Sequence, residues 1–169
     1  MTLWLVGMMG SGKTSAGRVA AERLGIEFAD TDEAVARRLG CSIAQLWGEL
    51  GEAAFRDMEK VAVRELASRE GIVATGGGVV LDAENRHTMV ATGPVVWLEA
   101  PPSVLAGRLE GSDGRPLLVV LDRERESVLA QHLQERAKLY AEVATHRIQT
   151  DTMTVEEVAA RIEEVWNGS

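Results

Sequence analysis

The stretch Gly7-Met8-Met9-Gly10-Ser11-Gly12-Lys13-Thr14 decides the fold, because it matches the pattern G-x-x-x-x-G-K-[ST] at every fixed position. It follows an apolar run of strand length, residues 3–6, and precedes a helical pattern with residues recurring at spacings of three to four. Glycines allow successive backbone N–H groups to point inward at phosphate oxygens, and the start of a helix adds partial positive charge. A glycine-rich turn that matches by chance is the alternative. The flanking strand and helix favour a loop that binds a nucleoside triphosphate.

The residue types in this loop predict ATP and magnesium as ligands. Lys13 can reach the β- and γ-phosphates, and the Thr14 hydroxyl can ligate Mg²⁺. We expect ATP to contact the loop and the start of the helix, at Gly10, Ser11, Gly12, Lys13, Thr14 and Ser15. The loop alone does not distinguish phosphoryl transfer from a switch or a pump.

Length, charge and cysteine content restrict the class of protein. At 169 residues we expect a single domain over residues 1–169, and the single cysteine, Cys41, fits a reducing compartment. A net charge of −8 argues against binding to nucleic acid or to an anionic membrane. The apolar runs are too short for a membrane span, and the N-terminus has no signal-peptide pattern. We therefore expect a soluble cytoplasmic domain that acts as a monomer on small molecules.

Two aspartates follow the second predicted strand. Residues 26–29 form a short run before Asp30-Thr31-Asp32, and carboxylates two residues apart at a strand end can face the same side. Ligands of open α/β sheets gather outside the carboxyl ends of the strands. A kinase needs one carboxylate to hold Mg²⁺ through water and one to receive the proton of the attacking hydroxyl. The alternative is that Thr31 or Asp32 only caps the next helix.

A helical block of nearly forty residues comes next, which is more than one crossover helix needs. Residues 33–39 predict a short helix, Ser42 and Gln45 have the spacing of a capping box, and Gly51 interrupts the helix that follows. A longer helix is predicted over residues 52–69, ending before Gly71. We expect residues 32–60, approximately, to form a substrate-binding lobe. Arg56 lies on this block, where a solvated face is the default position for a lone arginine.

Three glycines follow the third predicted strand, residues 72–75. Gly76, Gly77 and Gly78 cost conformational entropy, and such a run is useful where a ligand must touch bare backbone at a strand end. A permissive turn into the next helix remains the alternative.

The second half of the chain carries three more arginines of interest. Arg108 lies on a short helix after a strand over residues 95–98, and Arg115 lies in a polar stretch that we expect to be a lid over ATP at residues 110–121, approximately. A solvated hinge is the alternative for that stretch. Arg136 lies within the apolar stripe of a helix over residues 122–144, and a buried guanidinium needs an anion. That anion is either a protein carboxylate or a ligand carboxylate or phosphate.

Strands and helices alternate five times, which predicts an α/β fold: a five-stranded parallel sheet flanked by helices, the P-loop kinase architecture. Taken together, the motifs resemble those of shikimate kinases over nearly the whole chain. The segments that carry the resemblance are the opening glycine loop, Asp30-Thr31-Asp32, Gly51-Glu52, Phe55-Arg56, Gly76-Gly77-Gly78, Arg115-Pro116-Leu117-Leu118 and Glu135-Arg136-Ala137-Lys138-Leu139-Tyr140.

The resemblance implies ATP-dependent phosphorylation of the 3-hydroxyl of shikimate, in aromatic amino-acid biosynthesis. It implies that Asp32 contacts the shikimate hydroxyls and accepts the proton, and that Arg56 and Arg136 bind the carboxylate with backbone from Gly77 and Gly78. It also implies nucleotide contacts for Arg115, the lid arginine, and for Arg108. Thr14 would ligate Mg²⁺ directly, with Asp30 behind it.

Some alternatives stay open at this point. A related small-molecule kinase, such as a gluconate kinase, and a nucleotide-binding switch without transfer activity both contain such a loop. The family often places an adenine contact just after the last strand, but residues 152–154 contain no arginine, so no residue there is assigned. The sequence also lacks the apolar strand ending in Asp that is the usual second motif of P-loop proteins. Asp30 is therefore the main candidate for the metal.

Overall fold

Five parallel strands form one sheet in the part of the chain that the computed structural model describes, residues 1–109 and 122–169. The sheet order is β2-β3-β1-β4-β5, which confirms the predicted five-stranded parallel sheet. The strands are β1 Thr2–Val6, β2 Phe28–Asp30, β3 Gly71–Ala74, β4 Val95–Glu99 and β5 His146–Gln149.

Helices cover both faces of the sheet. They are α1 Lys13–Leu24, α2 Thr31–Leu39, α3 Ile43–Leu66, α4 Ala83–Thr92, α5 Pro102–Arg108, α6 Asp122–Val143 and α7 Val155–Asn167, with a short 3₁₀ helix at Val79–Leu81. Capping boxes begin two of them: Ser42 with Gln45 before α3, as the spacing predicts, and Thr154 with Glu157 before α7. In the described part of the chain, no helix is long and apolar enough to cross a membrane.

Alternation of side chains along β1 divides the core into two layers. Leu3 and Leu5 pack with α1 and α7 on one face, whereas Trp4 and Val6 pack with α6 on the other. This is the period of two that a strand imposes, and all four side chains are fully buried. A central strand that is apolar on both faces is typical of a parallel sheet covered on both sides.

The sheet order determines where a ligand can bind. The chain passes from β1 to β2 at the edge, returns to β3 beside β1, and then crosses to β4 on the other side of β1. The direction of the connections therefore reverses at β1, and the crevice outside its carboxyl end is the usual ligand site of such a fold. The glycine loop follows β1 at that point.

Several predicted boundaries differ from the structure. Asp30, the last residue of β2, caps α2: its side chain accepts hydrogen bonds from the backbone N–H of Asp32 and Glu33. The idea that Thr31 or Asp32 is the cap is therefore wrong, because α2 begins one residue after the strand ends. Helix α3 ends at Leu66, and Gly71 belongs to β3 rather than to the helix end.

Gly51 interrupts α3 as predicted. Its φ of 80° and ψ of 175° are accessible to glycine and strained for other residues, so the helix is kinked there. The kink separates the first two turns after Ser42 from the half that carries Arg56. The predicted lid, residues 110–121, lies outside the described residues.

Candidate active site

The glycine loop folds around the ammonium group of Lys13. Lys13 is 7% exposed, and its Nζ donates hydrogen bonds to the carbonyl oxygens of Gly7 and Met8, both at 2.8 Å. The Ser11 hydroxyl is a third, longer acceptor at 3.4 Å. The positive charge is thus held inside the loop, at the N-terminus of α1.

A cavity of about 880 Å³ opens over this loop and over the carboxyl ends of the strands. The loop residues predicted to contact ATP line it: Gly10, Ser11, Gly12, Lys13, Thr14 and Ser15. The combination of bare backbone, a helix N-terminus and a buried ammonium creates a local positive field in a protein whose net charge is −8. The site is suited to a polyphosphate.

Thr14 and Asp30 place two hydrogen-bonded side-chain oxygens beside the loop. The Thr14 hydroxyl donates to Asp30 Oδ2 at 2.8 Å, while Asp30 Oδ1 accepts from the backbone of Asp32 and Glu33. The capping bonds hold the carboxylate in one orientation, with Oδ2 directed at Thr14. Among the described residues, no group of three or more His, Cys, Asp or Glu side chains could hold a metal ion.

Asp32 lies where this cavity meets a smaller one of about 70 Å³. The residues that line both cavities are Met9, Asp32, Ile43, Gly76 and Gly77. A carboxylate at this junction can contact a molecule in either cavity. The structure therefore places Asp32 between a phosphate-binding loop and a second binding site.

Two arginines reach the smaller cavity from different helices. Arg56 comes from α3 and Arg136 from α6, with the glycine segment Gly76–78 between them. A Cβ added to Gly78 would lie 2.3 Å from Arg56 Nη2, and one added to Gly77 would lie 3.8 Å from Arg136 Nη1. The absence of a side chain at Gly78 therefore allows the Arg56 guanidinium to lie against bare backbone, whereas the distance at Gly77 is an ordinary contact. The permissive turn is not the whole explanation for this run.

Arg136 is only 4% exposed and sits in the apolar stripe of α6 that the spacing predicted. Its Nη1 donates to the carbonyl of Gly77 at 3.4 Å, and its Nη2 lies 3.3 Å from Nδ1 of His132. Within residues 1–109 and 122–169, no carboxylate forms a salt bridge with Arg136, and its Nε has no hydrogen-bond partner. Of the two anions considered for Arg136, these contacts favour one that a ligand supplies.

Glu59 is a site residue that sequence reasoning missed. Its side chain is 1% exposed, and its Oε2 accepts a hydrogen bond from Arg56 Nη1 at 2.7 Å. Burial raises the pKa of Glu59 to about 7 from its usual 4.5, and Arg56 opposes this rise. The signal was present, because Glu59 stands three residues after Arg56 on one helix and i, i+3 pairs meet.

The far end of the larger cavity contains the second set of residues that the sequence did not identify. Arg108 lies there as expected, with its guanidinium bonded to the hydroxyl and the carbonyl of Thr150. Met153 and Thr154, which were left unassigned, line the same cavity. Thr154 belongs to a capping-box pattern and Met153 to no motif, so nothing in the sequence marked either as a cavity residue. Arg115 lies outside the described residues.

The site thus combines a polyphosphate loop, a carboxylate at a junction, and a small anion-binding pocket with two guanidinium groups. This set can hold a nucleoside triphosphate next to a small hydroxylated acid. Because Asp32 lies at the junction, a hydroxyl of that acid can be bonded to a carboxylate while it faces the terminal phosphate.

Comparisons with known proteins agree with this geometry. The family model "Shikimate kinase" matches residues 9–167. A shikimate kinase of Nitratidesulfovibrio vulgaris is 46% identical over 153 residues, which cover 88% of this chain and 86% of that protein. The solved shikimate kinase of Acinetobacter baumannii, in complex with shikimate, superposes with a TM-score of 0.92 at 38% identity, covering 99% of this chain and 93% of that one.

A second solved structure, the shikimate kinase of Aquifex aeolicus, gives a TM-score of 0.81 at 33% identity and covers 99% of this chain and 97% of that one. The family match spans nearly the whole chain, including every described element that builds the two cavities. The chain therefore belongs to the shikimate kinase family.

Proposed function

We propose that this protein transfers the γ-phosphoryl group of ATP to the 3-hydroxyl of shikimate, giving shikimate 3-phosphate and ADP. The observation that carries the proposal is the junction at Asp32, where a pocket with two guanidinium groups opens into the cavity over the phosphate loop. The names of the relatives and the shikimate bound in the Acinetobacter baumannii structure support the identity of the acid.

The loop binds the phosphates. In the structure the Lys13 ammonium group donates hydrogen bonds to the carbonyl oxygens of Gly7 and Met8. On nucleotide binding it exchanges these for oxygens of the β- and γ-phosphates, which carry full charge and attract it more strongly. Arg108 then contacts the nucleotide from the edge of the cavity, which it lines.

Thr14 and Asp30 fit a magnesium ion. Both present oxygen atoms, which Mg²⁺ prefers, and the 2.8 Å contact between them brings those oxygens to one point beside the loop. The Thr14 hydroxyl would hold the ion directly, and Asp30 would act behind it through water. When bound, Mg²⁺ neutralises charge on the β- and γ-phosphate oxygens and orients them.

Arg56 and Arg136 bind the carboxylate of the acid. A guanidinium presents two parallel N–H donors that match a carboxylate, and two such groups on opposite sides of the pocket define its position. Gly77 and Gly78 add backbone contacts, since no side chain separates them from the pocket. Glu59 holds Arg56 in place by accepting a hydrogen bond from Nη1, while the exposed Glu52 accepts from Nε and Nη2.

Asp32 orients the acceptor hydroxyl and receives its proton. The hydroxyl oxygen attacks the γ-phosphorus, the bond from that phosphorus to the β-γ bridging oxygen breaks, and ADP leaves with the electron pair. The proton of the hydroxyl passes to the Asp32 carboxylate. The position of Asp32 in both cavities allows it to contact the acceptor and to stay close to the transferring group.

The chain acts as one domain, with α2 and the start of α3 as the substrate-binding lobe over residues 32–60, approximately. The acid and ATP are both small molecules, and nothing in a net charge of −8 favours a nucleic acid. We propose a monomer, and a single cysteine in 169 residues is consistent with the reducing compartment of the cytoplasm.

A coupled ADP-release assay with ATP and Mg²⁺ tests the proposal. We expect strong stimulation by shikimate, and little by quinate, gluconate or no acceptor. Stimulation by gluconate instead would move the assignment to another small-molecule kinase. ATP hydrolysis that is indifferent to every acid would support a nucleotide switch and overturn phosphoryl transfer.

A further inference from the structure

Tyr140 is buried beside the acid pocket and has no part in the reaction described above. Its hydroxyl donates a hydrogen bond to the carbonyl oxygen of Gly77, and the same oxygen accepts from Arg136 Nη1. The two donors are four residues apart on α6, so one turn of this helix holds a single carbonyl of the glycine segment from one side.

The surroundings of Tyr140 keep its hydroxyl close to the Gly77 carbonyl. Tyr140 is fully buried, and its ring stacks on Trp97 of β4 with centroids 5.6 Å apart and planes at 29°. The hydroxyl also lies 3.7 Å from Sδ of Met8 in the phosphate loop. Burial raises the pKa of Tyr140 above its usual value of 10, so the hydroxyl keeps its proton and remains a donor.

The glycine segment needs such a contact. With no side chains to pack, it depends on its backbone bonds, which include Gly76 N–H to the Thr31 hydroxyl at 2.9 Å and Val79 N–H to the Gly76 carbonyl at 3.1 Å. Neither of these bonds involves the peptide between Gly77 and Gly78. That peptide is planar, so the direction of the Gly77 carbonyl also sets the opposite direction of the Gly78 N–H.

We propose that Tyr140 is a positioning residue: it holds the Gly77–Gly78 peptide so that its N–H points away from α6, in the orientation that the acid substrate requires. This role rests on the proposed function, since the acid must bind beside the glycine segment. It also couples the backbone to Arg136, because both donors share one acceptor, so that the carboxylate-binding guanidinium and the peptide move together.

Tyr140→Phe tests this role, because it keeps the stacked ring and removes only the hydroxyl. We expect the Kd of shikimate to rise about fivefold to tenfold, because this is the usual effect of losing one hydrogen bond. The Kd of ATP should change less than twofold. In ligand-free protein the ¹⁵N–¹H signal of Gly78 should shift. Thr92→Val is the matched control, because it removes the acceptor of the Trp4 indole N–H and Thr92 lines neither cavity. It should lower the unfolding midpoint without changing either Kd.

A Tyr140→Phe variant with a lowered unfolding midpoint, an unchanged shikimate Kd and an unshifted Gly78 signal would overturn the proposal and leave a structural tyrosine. Equal weakening of ATP and shikimate would also overturn it. A second measurement needs no substitution: the chain contains one tyrosine, so incorporated 3-fluorotyrosine labels Tyr140 alone. Its ¹⁹F signal should move on adding shikimate, and a signal that shikimate leaves in place would contradict the proposal.

Failure of the proposed function gives a different result. If no acid stimulates ADP release from the wild-type protein, phosphoryl transfer to shikimate is wrong. The Gly78 amide shift in the ligand-free variant still reports whether Tyr140 sets the peptide orientation, because that measurement requires no turnover.

Discussion

Replacing Glu59 with glutamine should remove a pH dependence of folding stability that this buried carboxyl imposes. Glu59 faces Arg56 on its own helix, Asp32 from α2 and Arg136 from α6. Within the described residues its Oε1 accepts no hydrogen bond. Glutamine has the same shape and no charge at any pH, so the difference in unfolding free energy between the two proteins isolates the titration of Glu59.

Arg56 and Glu59 both have a raised pKa, but for different reasons. Burial acts to lower the pKa of Arg56, but Glu59 and Glu52 outweigh it and raise that pKa. For Glu59 burial outweighs the attraction of Arg56, and the pKa rises to about 7. Arginine stays protonated at every pH of interest, so Arg56 keeps its charge. The free-energy cost of burying the pair therefore appears as the raised pKa of Glu59.

The sign and size of the effect follow by linkage. An acid whose pKa is higher in the folded state binds its proton more readily there, so stability falls as pH rises from 4.5, its ordinary value, to about 7. At about 1.4 kcal/mol per pKa unit, the wild-type protein should lose about 2–3 kcal/mol of stability between pH 5 and pH 8 that Glu59→Gln does not lose. Above pH 8 the difference should be constant.

Urea unfolding of both proteins at half-unit pH intervals from 5 to 8 measures this difference. Glu52→Gln is the matched control: Glu52 also bonds Arg56, but its side chain is 56% exposed, so we expect a change of only about 0.5 kcal/mol. A flat difference between wild type and Glu59→Gln across this range would refute the reasoning. A difference of opposite slope would mean that the pair with Arg56, not burial, dominates the energetics of Glu59.

Three further predictions concern the reaction. Lys13→Ala should lower kcat by about 100-fold or more, the usual size for loss of one charged contact to the transferring group, and near-normal turnover would contradict the loop assignment. Arg136→Ala should raise the KM of shikimate by about 100-fold with the KM of ATP within twofold, and equal losses would make it a structural arginine. Gly76→Ala should weaken shikimate binding and destabilise the fold by about 1–3 kcal/mol, because its Cβ would lie 2.6 Å and 2.8 Å from two carboxylate oxygens. Gly48→Ala, which meets no atom within 4 Å, should leave the kinetics unchanged, and a similar effect of both alanines would contradict the steric argument.

The parts of the fold that local patterns govern could be predicted from the sequence. The loop around Lys13, the capping boxes at Ser42 and Thr154 and the kink at Gly51 each depend on residues within a few positions of one another. Helix α6 was also predictable, because its apolar stripe has a regular period. The sheet order β2-β3-β1-β4-β5 was not, since it depends on pairings between residues as far apart as Thr2 and Gly71.

The candidate site was predictable one motif at a time, but its contacts were not. The spacing of Asp30 and Asp32 suggested two carboxylates on one side of a strand. In the structure Asp30 ends the strand as a helix cap and Asp32 lies in the first turn of α2, because the helix begins directly at Thr31. The two carboxylates do line one cavity. They do so because α2 starts at the end of the strand, and not because side chains alternate along the strand.

The three glycines explain why the remaining contacts escape a reading of the sequence. A side chain at Gly76 would meet Asp32 and Glu59, one at Gly77 would approach the backbone N of Met9, and one at Gly78 would meet the guanidinium of Arg56. The neighbours of the three glycines thus come from α2, α3 and the phosphate loop, and a run of three identical letters does not identify them. Helix α6 also holds the Gly77 carbonyl through Tyr140 and Arg136, and α2 holds the Gly76 N–H through Thr31. Four parts of the chain therefore determine the position of this segment. A binding pocket whose walls are backbone can be recognised from sequence as a place where side chains are excluded, and only the folded chain identifies the neighbours that exclude them.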